Sequence, residues 1–186
     1  MALHLFVTYI MSDRELVDLC MKGDRVAQKQ LFDTYSGQMM ALCLRYAGNA
    51  SAAGDMMQEG FIKVFEKLSQ YKGDGALGGW IRTIMVNSAL IYLRREKKHA
   101  FHESSDEHYG LTDASFDVFA KMGADEILQV VAKLPDGYRT VFNLFAIEGY
   151  SHKEIAEQLD ISESTSKTQF HKAKQHLRKQ ITAMNE

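Results

Sequence analysis

Proline, cysteine and long apolar runs are all scarce in this 186-residue chain. With one proline, Pro135, and no sustained alternation of apolar and polar residues, little in the sequence favours β-strands. The two cysteines, Cys20 and Cys43, lack metal-ligand spacing and are too few for a disulfide framework, which favours a reducing, cytoplasmic location. No run approaches the roughly 18 apolar residues of a membrane span, so membrane insertion is not expected.

A strong net charge is also missing, because the chain carries only −2. A free-standing DNA-binding protein is usually basic, so this average argues weakly against one. The distribution is uneven, however. Seven acids face one lysine between His99 and Glu126, whereas five bases face two acids between Ser162 and Glu186. The pattern indicates an acidic linker followed by a basic C-terminal segment.

A secretory signal is not expected, because the apolar stretch Met1–Ile10 has neither a basic region nor a small-residue cleavage site. Met11 is an alternative translation start to Met1, since the helical pattern begins just after it. Apolar residues then recur at steps of three and four, which predicts helices. The first such stripe is Leu31, Tyr35, Met39, Leu42 and Tyr46. The second is Met57, Phe61, Val64, Phe65 and Leu68, and a third helix is expected over about 78–98.

Two helical modules joined by a linker therefore make up the expected all-α architecture. The N-terminal module spans 11–98, the polar, acidic linker spans 99–123, and the C-terminal module spans 124–186. Pro135 is well placed to start a helix, which is expected to stop at Glu148-Gly149-Tyr150.

The C-terminal module has the spacing of a helix-turn-helix. Ser151 is followed three residues later by Glu154, which is the pattern of a capping box. A short helix with Ile155, Ala156 and Leu159 follows. After the turn Asp160-Ile161, Ser162 opens a basic helix.

The second helix of such a motif lies in the major groove of DNA, with its early residues facing the bases. The predicted DNA-reading residues are Ser164, Thr165, Lys167, Thr168, Gln169, His171, Lys172 and Lys174. A glutamine can bridge two atoms of adenine, and a lysine can donate to guanine. Arg178 and Lys179, further along, suit phosphates better. An ordinary amphipathic helix with a solvated basic face remains the alternative.

The N-terminal half resembles the extracytoplasmic-function (ECF) sigma factors, which are RNA polymerase specificity subunits of the sigma-70 family. The segments that carry the resemblance are Asp13–Val17, Lys22–Asp24, Gly54–Phe65, Tyr71–Asp74 and Gly79–Arg95. In the C-terminal half, Leu134–Arg139 and Glu148–Ile155 resemble the same family. The matching segments occur in the family's order over about 13–181, apart from the linker.

The resemblance implies two partners, core RNA polymerase and promoter DNA, and no cofactor is expected. It implies that the polymerase-binding face comprises Asp55, Gln58, Glu59 and Lys63. It also implies that the loop from Tyr71 to Gly79 and the following helix hold a base flipped from the downstream promoter element. The residues expected to contribute to promoter melting are Tyr71, Lys72, Asn87, Arg94 and Arg95. Trp80 is expected to be buried against Ile84 rather than to face DNA.

Three residues depart from the family pattern. Ile91 replaces a common acid, Ser166 stands where an apolar residue is usual, and Gln169 stands where arginine is frequent. The promoter sequence therefore cannot be copied from relatives, and the resemblance leaves open whether an anti-sigma factor is a partner.

Two other functions compete with this interpretation. A helix-turn-helix transcription regulator that acts without polymerase would not need the Gln58-Glu59 helix. A metalloenzyme would use a linker cluster, whose members are His99, His102, Glu103 and His108. A flexible linker offers no rigid element to fix ligand geometry. No nucleophile–base pair or phosphate-binding loop is recognisable elsewhere, so an enzyme is not expected.

Overall fold

The computed structural model describes residues 11–96 and 129–184, and in these ranges the chain is helical, with no strand. The predicted all-α class is confirmed. The N-terminal module contains α1 (Asp13–Met21), α2 (Arg25–Ala47), α3 (Ala50–Lys67), a single 3-10 turn (Leu68–Gln70) and α4 (Leu77–Glu96). Residues 1–10 and the predicted linker, 99–123, lie outside the described residues.

Short polar side chains set the beginnings of these helices. The Asp24 carboxylate accepts hydrogen bonds from the backbone N–H groups of Val26 and Ala27 at the start of α2 (2.8 and 2.9 Å). Asn49 similarly caps α3. These contacts satisfy backbone donors that the first turn of a helix leaves without intrahelical partners. At the end of α2, Gly48 adopts a left-handed conformation (φ 74°), in which a side chain would be strained.

The apolar stripes predicted from the sequence face one another in the core. Leu31, Leu42 and Tyr46 of α2 are buried, as are Phe61 and Val64 of α3, whereas Met57 of the predicted stripe is only partly buried. Burying a side chain of this size contributes about 1.5–3 kcal/mol, so the packing of α2, α3 and α4 is a large contribution to the module's stability.

The closest approach in this core is between α3 and α4. A Cβ atom built on Gly60 of α3 would lie 2.2 Å from the Met85 sulfur of α4. The Met85 sulfur and terminal methyl group therefore pack directly over the Gly60 backbone, and any side chain at position 60 would have to displace this flexible end of Met85.

The C-terminal module begins in the described chain with a helical segment at 129–132. It continues as α5 (Asp136–Phe142), a π-helical segment (Asn143–Ile147), α6 (His152–Leu159) and α7 (Glu163–Met184). The helix predicted after Pro135 ends as expected, because Glu148 caps the π segment and Gly149 has a φ of 80°. No helix within 11–96 or 129–184 has the length and apolar character that a membrane span requires.

The two modules contact each other through buried polar groups. The Glu148 side chain is only 5% exposed and accepts hydrogen bonds from Arg82 of α4 (2.8 and 2.9 Å) and from Arg45 of α2 (3.3 Å). Arg139 of α5 is buried and donates from Nε and Nη2 to the carbonyl oxygen of Tyr46 (3.1 and 3.0 Å). Charged groups this deeply buried are tolerated because they are paired or hydrogen-bonded.

Candidate nucleic-acid interface

The helix-turn-helix is formed by α6, a three-residue turn and α7. Ser151 and Glu154 make the predicted capping box, with the Ser151 N–H donating to the Glu154 carboxylate at 2.8 Å and the Glu154 N–H donating to the Ser151 hydroxyl at 3.2 Å. Hydrogen bonds from Ser151 also lower the pKa of the Glu154 carboxyl. Asp160 makes the turn in a left-handed conformation, φ 55°. The motif predicted from the sequence is confirmed.

The first turn of α7 is anchored by Ser162, whose hydroxyl accepts a hydrogen bond from the Thr165 N–H at 2.9 Å. Ser164 and Lys167 are exposed on this turn, and Lys167 forms an ion pair with Glu163 at 2.7 Å. The pair, whose two side chains are about half exposed, lowers the pKa of Glu163. An exposed pair of this kind is weak enough to be exchanged for a contact with DNA.

Most of the other predicted reading residues are partly exposed and lie along the same helix. They are Thr165, Thr168, His171, Lys172 and Lys174. The Lys174 ammonium lies 5.3 Å from the centroid of the Phe170 ring. Seven of the eight predicted residues therefore remain accessible, and their contact with bases stays a prediction.

Gln169 is the exception. Its side chain is only 3% exposed and faces α5, where a Cβ atom built on Gly137 would lie 3.0 Å from its Oε1 atom. A side chain packed between two helices cannot reach a base edge, so the prediction that Gln169 reads DNA is wrong for this structure. Gln169 instead joins α7 to α5.

Ser166, noted above as a departure from the family pattern, is explained by a polar contact in the core. Its buried hydroxyl lies 2.9 Å from Nδ1 of His152, and the His152 ring stacks on Phe145 with a centroid distance of 4.3 Å. Burial, followed by the positive charge of Lys167, lowers the pKa of His152, against an opposing effect of Glu163. The serine thus provides a hydrogen-bonding group where an apolar side chain would leave His152 without one.

In the N-terminal module, the loop between the 3-10 turn and α4 borders a cavity of about 430 Å³. The residues that line it are Gln70, Tyr71, Lys72, Asp74, Gly75, Ala76, Gly79 and Trp80. The Tyr71 and Trp80 rings form one side, with their centroids 5.6 Å apart. Trp80 is only partly buried, and its ring contact is with Tyr71. An aromatic wall with glycine-rich backbone opposite is a suitable surface for stacking an unpaired base.

An exposed stripe on α4 begins beside this cavity. Gly79, Thr83, Asn87, Ile91 and Arg94 are exposed at steps of three or four residues and therefore share one face of the helix. Asn87, predicted to contact a base, lies in the middle of the stripe. Ile91 is 47% exposed and contributes an apolar side chain to the stripe. The cavity and the stripe together form a surface on which unpaired DNA could lie.

The predicted polymerase-binding residues lie on the outer side of α3, two of them in contact with α4. The Tyr92 hydroxyl donates to Asp55 at 3.5 Å, and Arg95 donates to Glu59 at 2.8 Å. Gln58 is exposed and Lys63 is partly exposed. Because Glu59 already pairs with Arg95, the predicted polymerase-binding and promoter-melting residues meet at this point.

Sequence reasoning missed the residues that join the two modules, Arg82, Arg139 and Glu148. It placed Glu148 only at a helix end. Arg82 and Glu148 are 66 positions apart in the chain, so no local sequence pattern indicates that they pair. The linker residues on which the competing metalloenzyme interpretation depends, His99, His102, Glu103 and His108, lie outside the described residues.

Comparison with known proteins covers both modules. The family model "Sigma-70 region 2" matches residues 31–99, and the model "Sigma-70, region 4" matches residues 124–177. The ECF RNA polymerase sigma factor SigW of Bacillus subtilis is 30% identical over 176 residues, covering 86% of this chain and 91% of the relative. The ECF RNA polymerase sigma-E factor of Haemophilus influenzae is 27% identical over 182 residues, covering 92% and 96%.

Among solved structures, the sigma factor RpoE of Bartonella quintana, crystallised with the anti-sigma factor NepR, is similar at 16% identity with a TM-score of 0.48. The alignment covers 85% of this chain and 98% of that one. The identity to SigW over most of both chains, together with the two region matches, establishes the family. The chain belongs to the ECF RNA polymerase sigma factors of the sigma-70 family.

Proposed function

We propose that this chain binds core RNA polymerase through α3 and directs it to promoters that α7 and α4 recognise together. In this proposal α7 reads duplex DNA upstream, and the cavity beside Tyr71 and Trp80 receives an unstacked base downstream. The observation that carries it is the continuity of the cavity with the exposed α4 stripe, which offers one path for an unpaired strand. Unstacking a base costs a few kcal/mol, and contacts along this path would offset that cost.

The role of Asn87 can be tested by separating melting from polymerase binding. Asn87→Ala should lower the rate of open-complex formation on duplex promoters, because an exposed amide that can both donate and accept is lost. It should leave core binding unchanged. On a template with a pre-melted bubble the defect should shrink, since unstacking is already done. Gln30→Ala, which removes an exposed amide from α2 of the same module, is the matched control.

A defect of Asn87→Ala that is equally large on the bubble template would contradict the assignment and indicate misfolding. If Gln30→Ala lowered the rate of open-complex formation as much as Asn87→Ala does, the loss of any exposed amide on this module would be shown to disturb transcription.

The polymerase-binding face is best probed at Gln58 and Lys63. Asp55 and Glu59 also contact α4, so their substitution would disturb two predicted sites at once. Gln58→Ala and Lys63→Glu should weaken binding to core polymerase without altering the thermal stability of the free chain. Unchanged core affinity in both variants would move the binding face elsewhere on the module.

The competing function, a helix-turn-helix regulator that acts alone, makes a different prediction. Such a protein would bind its DNA site with full affinity in the absence of polymerase. A titration of promoter duplex with free chain and with holoenzyme distinguishes the two, because only a polymerase subunit requires the enzyme for function.

A further inference from the structure

Helix α1 contacts both ends of the loop that borders the cavity. It packs against the Leu68–Gln70 turn, which precedes the loop. At the other end, the Asp13 carboxylate accepts a hydrogen bond from the backbone N–H of Leu77, the first residue of α4, at 3.0 Å. The two residues are 64 positions apart in the chain. The loop is therefore held at its entrance and its exit by the same helix.

The bond from Leu77 satisfies one backbone donor of a first turn that receives no side-chain cap from the local sequence. A helix normally begins after a residue whose side chain accepts from the first turn. The two residues before α4 are Gly75 and Ala76, and neither has a side-chain acceptor. A carboxylate at this end of a helix also has a favourable interaction with the helix dipole. Asp13 supplies both the acceptor and the charge from another part of the chain.

The first turn of α4 in turn determines the shape of the cavity. Gly79 and Trp80 of this turn line the cavity directly. Gly78 packs against Tyr35 of α2, since a Cβ atom built there would lie 3.0 Å from the Tyr35 ring. The Tyr71 hydroxyl donates to the carbonyl oxygen of Gly75 at 2.5 Å, which closes the loop on itself.

The Asp13 charge also affects the pKa values of the Tyr35 and Tyr71 hydroxyl groups. Burial and the nearby Asp13 charge both raise the pKa of Tyr35, and the same causes, with Asp74, raise that of Tyr71. The Asp13 charge therefore acts on Tyr71 of the cavity wall as well as on the start of α4.

We propose that Asp13 is a positioning residue for base capture, which holds the start of α4 so that the cavity between Tyr71 and Trp80 is formed before DNA arrives. Asp13 acts through Leu77 and does not contact DNA. The proposal rests on the proposed function of the cavity. It gives α1 a role beyond packing, because a preformed site avoids the cost of ordering the loop on binding.

The first test uses the free chain, in which Trp80 is the only tryptophan. Asp13→Ala should increase the quenching of Trp80 fluorescence by acrylamide, because the cavity wall loosens. Asp13→Asn, which keeps an acceptor oxygen but not the charge, should have a smaller effect. Asp18→Ala is the matched control, since Asp18 is an exposed acid on the same helix.

The decisive variant supplies a local cap instead of the remote one. Ala76→Ser places a hydroxyl at the position just before α4, where serine is a favoured cap and accepts from the N–H of Gly78 or Gly79, so it stabilises the first turn through a neighbouring donor. Added to Asp13→Ala, it should return Trp80 quenching toward that of the unsubstituted chain. A purely structural role for Asp13 in anchoring α1 would not be repaired by a change at position 76.

The second test measures base capture with holoenzyme. The probe is a single-stranded oligonucleotide that carries the downstream element of a promoter selected by transcription from a random library. Asp13→Ala should weaken its binding about fivefold, the effect expected of losing one helix cap, with unchanged affinity for core polymerase. Ala76→Ser should recover most of the loss.

Two results would overturn the proposal. One is oligonucleotide binding by Asp13→Ala at the level of the unsubstituted holoenzyme. The other is a loss that Ala76→Ser does not repair, which would assign Asp13 to the stability of the module. If the unsubstituted holoenzyme itself fails to bind the oligonucleotide, the proposed function of the cavity fails, and the role of Asp13 in base capture falls with it.

Discussion

Replacing Glu148 by glutamine should weaken the contact between the two modules. The substitution keeps the shape of the side chain but removes the charge that faces Arg45 and Arg82. The Arg45 side chain is 13% exposed and cannot turn fully into solvent, whereas that of Arg82 is 39% exposed and can. Burial already lowers the pKa of Arg45, while the Glu148 charge acts to raise it. Glutamine would therefore leave Arg45 charged, buried and without its carboxylate.

The size of the effect follows from these exposures. Truncating one partner of a buried, hydrogen-bonded charge pair costs about 2–5 kcal/mol. The contribution of Arg82 is discounted because solvent screens an exposed pair. We expect the contact between modules to weaken by about 2 kcal/mol, which lowers its equilibrium constant about thirtyfold.

The assay is the distance between spin labels or fluorophores on cysteines introduced at the exposed positions Gln30 and Lys179, one in each module. The native thiols should not compete for label, since Cys20 and Cys43 are buried and burial raises the pKa of Cys43 to about 12. Glu148→Gln should broaden a narrow distance distribution toward longer values. Glu157→Gln, on exposed α6 surface, is the control. An unchanged distribution in Glu148→Gln would refute the reasoning that Glu148 holds the modules together.

Three further predictions concern packing, pH and DNA. Gly60→Ala should destabilise the N-terminal module by about 1 kcal/mol or less in urea unfolding, because only the flexible end of the Met85 side chain must shift and alanine favours the helix; a loss of about 3 kcal/mol or more would show that Met85 cannot shift. Since the pKa of His152 is lowered in the folded chain, the unfolded chain binds the proton more readily. The melting temperature of the C-terminal module should therefore fall as the pH drops below about 6.5. His152→Phe should remove this part of the pH dependence, because phenylalanine cannot bind a proton. Lys179→Ala in holoenzyme should weaken binding of all promoters alike and reduce the slope of log affinity against log salt by about one, whereas a change in sequence preference would assign Lys179 to base reading.

Much of the fold could be predicted from the sequence, because local rules dominate in helices. The capping box at Ser151, the stop at Gly149 and the apolar stripes of α2 and α3 are all determined by residues within a few positions of one another. The helix-turn-helix could be predicted because three local signals follow one another: the capping box at Ser151, the turn at Asp160-Ile161 and the basic helix that Ser162 opens.

The positions of Gln169 and Arg139 could not be predicted from the sequence, because both depend on contacts between separate helices. Gln169 is polar and lies on a basic helix, so its sequence context favours an outward position. It is buried because Gly137 of α5 leaves space for it. Arg139 is buried for a similar reason, since carbonyl groups of α2 and of Leu134 accept its hydrogen bonds. Contacts between elements far apart in the chain decide both positions, and no local pattern encodes them.

The remote cap on α4 is a third case. From the sequence, Asp13 could be assigned only to a family segment, because its partner is the backbone N–H of Leu77, a group that nearly every residue type carries. Such a bond can be found only when the helices are in place.

The most direct test of the central claim is transcription by core RNA polymerase reconstituted with this chain on a library of random promoters. The account predicts a stable complex with core and initiation from a defined subset of sequences that share two separated elements. Asn87→Ala should reduce that initiation on duplex templates while the complex with core persists. Failure of the unsubstituted chain to bind core, or initiation no more selective than that of core alone, would contradict the account.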